Sequence, residues 1–184
     1  TGVNPGRIVS FTQTTLNVAK YTTAGWDISL RWNIDPADYG VDKDIGRFGL
    51  SIVANKLDDL TFTELACATP DSDLGEPNAP EWQVNLDLTW IYGDFTVNYG
   101  FNYFSKTERF SAVRRADPDY VDPQYWYYSA RATHDIQARW KVNDVAVIYG
   151  GINNFTNQEP DIQDYNYPVS PRGREYYVGV TARF

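Results

Sequence analysis

Few side chains in this 184-residue sequence can do covalent chemistry. It has one histidine, His134, and one cysteine, Cys67, with no glycine-rich phosphate loop and no nucleophile motif, so an enzyme is not expected. Its carboxylates are scattered, and pairs such as Asp58 and Asp59 read as solvated loop. Asp117, Asp119 and Asp122 could gather a Ca²⁺, but their proline-interrupted spacing is not that of a calcium loop, so neither metal nor cofactor is expected. His134 lies on an otherwise apolar strand face without a ligand set and is read as a histidine hydrogen-bonded to a neighbour. Rings are the more promising groups. Tyr120, Tyr125, Trp126, Tyr165 and Tyr167 fall in or beside long polar stretches, where they could stack on a sugar, a catecholate or a flat chelate. Anchoring at an interface is the competing role, and the better one for Trp126. Arg114 and Arg115 read equally as a solvated pair or as a contact for phosphates.

The elements that must hold these groups are strands. Residues 26, 28, 30, 32 and 34 are Trp, Ile, Leu, Trp and Ile, while Asp27, Ser29, Arg31 and Asn33 take the other parity, which is the period-two signature of a strand. The same alternation recurs at 47–55, 82–92, 95–103, 125–140, 145–155 and 175–184. A further strand over 7–21 requires a bulge, because its apolar residues change parity. The tight turn at Gly93-Asp94 makes 82–103 a hairpin. No segment has sustained helical spacing. The expected fold is therefore all-β, an antiparallel up-and-down meander of about eight strands, several longer than the usual five or six residues.

What receives the apolar parity is the next question. No run approaches the roughly 18 apolar residues of a membrane helix, but a transmembrane barrel hides its hydrophobicity in alternation. Strands of nine to eleven residues suit a bilayer, and long polar stretches at 56–80, 106–124 and 156–174 alternate with short turns, the layout of a barrel with a long-loop end and a short-turn end. Tryptophan and tyrosine gather at strand ends on the apolar parity, as in Trp26 with Trp32, Trp82 with Trp90 and Tyr92, and Trp126 and Tyr128 with Trp140, matching interfacial girdles. Asp27, Arg31, Asp87, Arg131, Asp135, Arg139 and Arg183 would then face a lumen. The net charge of −8 argues against nucleic acid as a partner. The sequence contains no methionine and opens without a basic, apolar leader, so it is expected to be processed or a fragment.

At 150–155 the chain reads G-G-I-N-N-F, followed by T-N-Q-E-P, and this resembles the penultimate-strand motif of TonB-dependent outer-membrane receptors, with Asn154 where that family usually has leucine. The end, G-R-E-Y-Y-V-G-V-T-A-R-F, is similar to the family's terminal strand, and L-N-V-A-K-Y-T-T-A-G-W-D at 16–27 to an upstream hairpin. The resemblance implies that 1–184 is the carboxy-terminal part of a barrel of about 22 strands, with the plug and amino-terminal strands lying outside it. It implies that Phe184 is an assembly signal at the periplasmic rim of the bacterial outer membrane. Active import of a scarce siderophore, cobalamin or carbohydrate would be driven through TonB, which would reach this segment only by way of the plug. Lipid, lipopolysaccharide, the remaining barrel, the plug and the imported solute are the implied partners. Two other classes fit the residues: a complete eight-stranded outer-membrane barrel, whose first and last strands would pair, and a soluble carbohydrate-binding β-sandwich.

Overall fold

A computed structural model describes residues 10–13, 17–117, 119–161 and 169–183, apart from the side chain of Val113. The strands are β1 (Lys20–Ile34), β2 (Arg47–Thr63), β3 (Asp71–Ser72), β4 (Trp82–Tyr92), β5 (Phe95–Phe104), β6 (Thr107–Glu108), β7 (Tyr127–Tyr128), β8 (Arg131–Lys141), β9 (Ala146–Asn153) and β10 (Glu175–Ala182). Seven long strands make one antiparallel sheet in the order β1-β2-β4-β5-β8-β9-β10, and β3 adds a short edge to β2. β6 and β7 pair separately above it. The all-β meander is as expected from the alternation.

Register sorts the side chains into rows that cross the whole sheet. Trp32, Leu50, Leu88, Tyr99, Ile136, Ile152 and Tyr176 are successive partners, one from each long strand. The row beside it, on the opposite face, is Asn33, Gly49, Thr89, Asn98, Gln137, Gly151 and Tyr177. Paired residues in an antiparallel ladder project to the same side, so the first row makes one face apolar and the second makes the other polar. Hydrogen bonds from Asn55 to Asp27 at 2.6 Å and from Thr89 to Asn98 at 2.9 Å run across the polar face.

Neither face is covered by a second layer among the described residues. Among the described residues the buried hydrophobic ones are Ala54, Ala79 and Val169, and no large side chain is fully buried. Trp26, Trp32, Val178 and Val180 are 65%, 48%, 80% and 66% exposed. A soluble sandwich of this length would hide such residues in a core, so that alternative fails here. The complete eight-stranded barrel also lacks its closing ladder, because β1 and β10 are the two ends of the sheet order and do not pair. Trp82 and Trp90 lie eight residues apart, ~26 Å along the strand at ~3.3 Å per residue, or ~20 Å along a membrane normal at a tilt of ~40°. That separation matches two aromatic girdles around an apolar band ~25 Å tall.

Three boundaries differ from the sequence expectation. Among the described residues of 7–21, regular pairing begins only at Lys20, and β1 then runs unbroken through Thr22 and Thr23. β2 continues through the stretch read as loop from residue 56: Ala24 pairs with Asp59 and Gly25 with Leu57, leaving Asp58 as a bulge. Leu57 breaks the earlier even-numbered parity, and beyond the bulge Leu60 and Phe62 keep even numbers but pair with Thr23 and Tyr21, on the other face, so the alternation no longer marked one strand. Residues 125–130 leave the main sheet, since Pro123–Tyr125 forms a 3-10 turn and Tyr127–Tyr128 pairs with Thr107–Glu108.

Asn154 occupies positive φ (50°), and its side chain closes the turn after β9. Its Oδ1 accepts from the Gln158 N–H and its Nδ2 donates to the Gln158 carbonyl, both at 2.8 Å, while its own N–H donates to Asp135 Oδ1 at 2.6 Å. Asparagine tolerates this backbone and supplies both bonds, which accounts for its standing where leucine is common in the resembled motif. His134 Nδ1 hydrogen-bonds the Tyr99 hydroxyl at 2.7 Å, and its ring packs on Phe101 and Phe155. The expected neighbour for this apolar-face histidine is thus Tyr99.

Candidate functional site

At the long-loop end the segments 64–81, 105–130 and 154–161 meet in one bonded assembly. The Tyr21 hydroxyl donates to Asp73 at 2.7 Å, and the Glu108 N–H donates to the Gly75 carbonyl at 2.6 Å, joining the first loop to β1 and to the second loop. Arg115 then bridges Glu108 at 2.7 Å and the Phe110 carbonyl at 2.9 Å. The Arg109 N–H donates to the Trp126 carbonyl at 2.9 Å.

This assembly carries most of the cation–ring contacts. Guanidinium groups lie 5.8 Å from Tyr128 (Arg131), 5.7 Å from Tyr128 (Arg109), 5.6 Å from Phe110 (Arg109) and 5.7 Å from Tyr120 (Arg114). Phe110 and Tyr120 meet edge to face at 5.8 Å, so arginines and rings alternate in a continuous run from Arg131 to Arg114. Arg115 and Lys106 flank Tyr127 at 5.3 and 4.8 Å. Four basic side chains of 105–130, Lys106, Arg109, Arg114 and Arg115, are thus set against rings, although Glu108, Asp117, Asp119 and Asp122 balance their charge within the same segment.

Arg131 is the anchor. It is 5% exposed, ion-pairs with Asp161, and its Nε is buried with no hydrogen-bond partner among the described residues. Asp161 also accepts from the Ser129 N–H at 3.2 Å, so one carboxylate ties the loop after β9 to the start of β8.

The sequence-derived candidates separate. Tyr120 belongs to the run and is 49% exposed, and Tyr125 is 51% exposed in the 3-10 turn. Trp126 is half-buried and its Nε1–H donates to the Val121 carbonyl at 3.2 Å, which makes it a staple of the loop. Tyr165, Tyr167 and Phe184 lie outside the described residues. Asp117 and Asp122 spend an oxygen on the backbone N–H of Asp119 and Gln124, at 3.0 Å each. Arg131, Tyr127 and Tyr128 were not singled out as site residues from the sequence, because 125–140 reads as one uninterrupted strand, and Arg109 was one unmarked charge in the polar stretch 106–124.

Acid groups line the far side of the first loop. Burial, then the charges of Asp73, Asp71 and Glu108, raise the Glu76 carboxyl above its ordinary value. An acid with a raised native pKa opposes the closed loop when ionised, so closure gains stability as pH falls through that raised value and stops gaining below the ordinary one. Glu76 is exposed, so the effect stays under about 1 kcal/mol, or about fivefold. Protease nicking within 64–81 is expected to slow as pH falls from 7 toward 5, and Glu76→Gln to flatten that profile; an unchanged slope in the variant contradicts the assignment.

The sequence model of a family described as TonB dependent receptor-like, beta-barrel, matches residues 1–155. No curated protein matches the chain. Among solved structures, the ferric-catecholate import receptor Fiu from K12 E. coli in its closed form superposes with a TM-score of 0.59 at 16% identity, covering 90% of this chain and 21% of that one. The siderophore receptor PiuA from Acinetobacter baumannii gives 0.59 at 20% identity, covering 90% and 22%. At these identities the likeness shows the fold. The chain spans about a fifth of the length of either receptor.

Proposed function

We propose that this chain, which belongs to the TonB-dependent receptor-like β-barrel family, forms wall and external loops of a bacterial outer-membrane importer whose solute is an anionic, ring-bearing chelate of the siderophore class. The observation that carries the solute class is the alternation of Arg131, Tyr128, Arg109, Phe110, Tyr120 and Arg114. Stacking plus charge suits an anionic catecholate complex better than a neutral sugar, which needs no arginines. Both receptors that superpose on the chain carry siderophore or ferric-catecholate import in their descriptions, and this agrees with the choice. The reading makes the chain a binding and wall element, not an enzyme.

The remaining partners follow from the same reading. The polar sheet face looks into the lumen, where a cavity of about 630 Å³ at the short-turn end is bordered by Arg31, Asp35, Arg47, Asp87 and Thr89. A plug seated there meets charges of both signs, and TonB acts on this segment only through that plug. The long open edge of β1 and that of β10 continue into the rest of the barrel wall. Phe184 serves as the assembly signal, and Tyr165 and Tyr167 extend the capture surface.

Ferric-catecholate binding to the intact receptor tests this. Arg114→Gln together with Tyr120→Leu removes one charge and one stacking surface, each worth about 1 kcal/mol, so affinity is expected to fall about tenfold or more. Equal affinity in the double variant, with the loop still protease-resistant, contradicts the solute assignment.

A further inference from the structure

A second set of rings beside a cation lies on the polar face of the sheet, toward the end opposite the loops. Arg139 of β8 has Thr96 and Tyr149 as register partners, and the row above it runs from Gln137 through Gly151 to Tyr177. Paired residues have Cβ atoms about 5 Å apart, so the Arg139 side chain starts directly beside Tyr149. The rings themselves lie flat on the wall. A Cβ on Gly179 would sit 2.4 Å from Tyr149 Cζ and Oη, and one on Gly151 would sit 2.6 Å from Tyr177 Oη, so each ring covers the opposing glycine with one face and turns the other to the lumen.

Covering the glycines accounts for where the rings are. It does not account for Arg139, which is exposed and has no ion-pair partner among the described residues. Its neighbours on this face, Thr96, Asn98, Gln137 and Tyr149, include no acid, and the next cation along the strand, Lys141, is already paired with Asp144 at 2.7 Å. An unneutralised guanidinium bordered by hydrogen-bonding side chains and two open ring faces suits an anion that carries aromatic rings. That is the chemistry of the loop run repeated deeper in the wall.

Depth separates the two. Arg139 is eight residues along β8 from Arg131, ~26 Å on the strand and ~20 Å along the membrane normal. The level between them is acidic: Asp87 and Asp135 flank Gly100 in one row, and a Cβ at Gly100 would lie 3.9 Å from a carboxylate oxygen of each. An anion descending this wall meets attraction at the loops, repulsion at mid-depth and attraction again at Arg139, which makes a discrete stop and not a continuous track.

We propose that Arg139, Tyr149 and Tyr177 form a transit site for the imported anionic chelate, occupied after the solute has left the loops and before it is released to the periplasm. Arg139 holds the anionic oxygens, and the open faces of Tyr149 and Tyr177 stack on the rings. The proposal rests on the importer reading above and adds a second position on the solute's path. The match of charge and ring to the external run is what selects the solute over a plug loop as occupant.

The test uses cells that express the intact receptor, with radiolabelled ferric dihydroxybenzoylserine as probe. Cells treated with a protonophore report capture alone, and energised cells report import. Arg139→Gln is expected to leave capture affinity within about twofold and to slow import about fivefold, with Arg139→Lys between it and the wild type. Benzoylphenylalanine at Val147, which shares the lumen face with its register partners Lys141 and Thr181, is expected to crosslink the probe in energised cells only. Import at the wild-type rate in Arg139→Gln, or absence of energy-dependent crosslinking at Val147, overturns the transit site and leaves the capture reading standing. Loss of import accompanied by new sensitivity to vancomycin makes Arg139 a seat for the plug and overturns the site as well. A wild type that neither captures nor imports the probe overturns the solute reading and this site with it.

Discussion

Arginine at Leu86 is expected to destabilise the membrane-inserted protein by about 2–4 kcal/mol, because Leu86 lies midway between Trp82 and Trp90 on the apolar face. Its row is Leu30, Ile52, Leu86, Phe101 and His134, and the single polar member is already bonded to Tyr99. A charge placed there has neither water nor partner at that depth. The neighbour Asn85 points to the polar face with Val53 and Asn102 as register partners, so Asn85→Arg is expected to change stability by no more than about 0.5 kcal/mol. A third substitution separates lipid from an ordinary core. Tyr92→Arg lies at the girdle on the same face, where the cost should fall to about 0–1 kcal/mol. Urea titration of refolding into vesicles measures all three. A cost that does not decline from Leu86 to Tyr92 contradicts a lipid environment for this face.

The second large effect is expected between β9 and β10, where two glycines and two tyrosines are interleaved. Gly151 pairs with Tyr177 and Gly179 with Tyr149, so each ring lies over the opposing glycine. A Cβ on Gly179 would overlap the Tyr149 ring, and a Cβ on Gly151 would come within 2.6 Å of both the Tyr177 hydroxyl and the Ile136 carbonyl. Overpacking of this kind costs about 1–3 kcal/mol. The two sites differ in what must yield. The three atoms nearest a Cβ on Gly179 all belong to the Tyr149 side chain, so Tyr149→Ala should restore most of the loss in Gly179→Ala, giving a coupling of at least about 1 kcal/mol in a double-mutant cycle. Gly151→Ala meets backbone as well, so Tyr177→Ala should leave much of its cost in place. Additive behaviour in the Gly179/Tyr149 cycle rules out ring-over-glycine packing.

Much of this was legible in the chain because strands state their faces directly. The alternation at Trp26 to Ile34 and at Trp82 to Tyr103 fixes parity, and parity is all that the cross-sheet rows require. Where backbone left that rule, legibility failed. The Asp58 bulge turned the end of β2 into apparent loop, and the departure of Tyr127 and Tyr128 to pair with β6 was invisible in a stretch whose residues alternate as a strand would. Arg131 looked like one more lumen charge because the carboxylate that buries it, Asp161, lies 30 positions along the chain. Tyr120 is legible as a ring, but its partner Arg114 reads equally as solvated or as a phosphate contact, since ring and guanidinium meet only through the fold of 105–130.

The central claim is that the apolar parity of the sheet meets lipid and the polar parity meets a lumen. Spin labels at Ile28, Leu86 and Ile136, compared with labels at Asn85 and Gln137 in the same reconstituted protein, test it most directly. Dissolved oxygen should relax the first three strongly and a water-soluble nickel chelate hardly at all, with the reverse pattern at Asn85 and Gln137. Protection of Ile28, Leu86 and Ile136 from both relaxers, as in a packed protein core, would contradict the account.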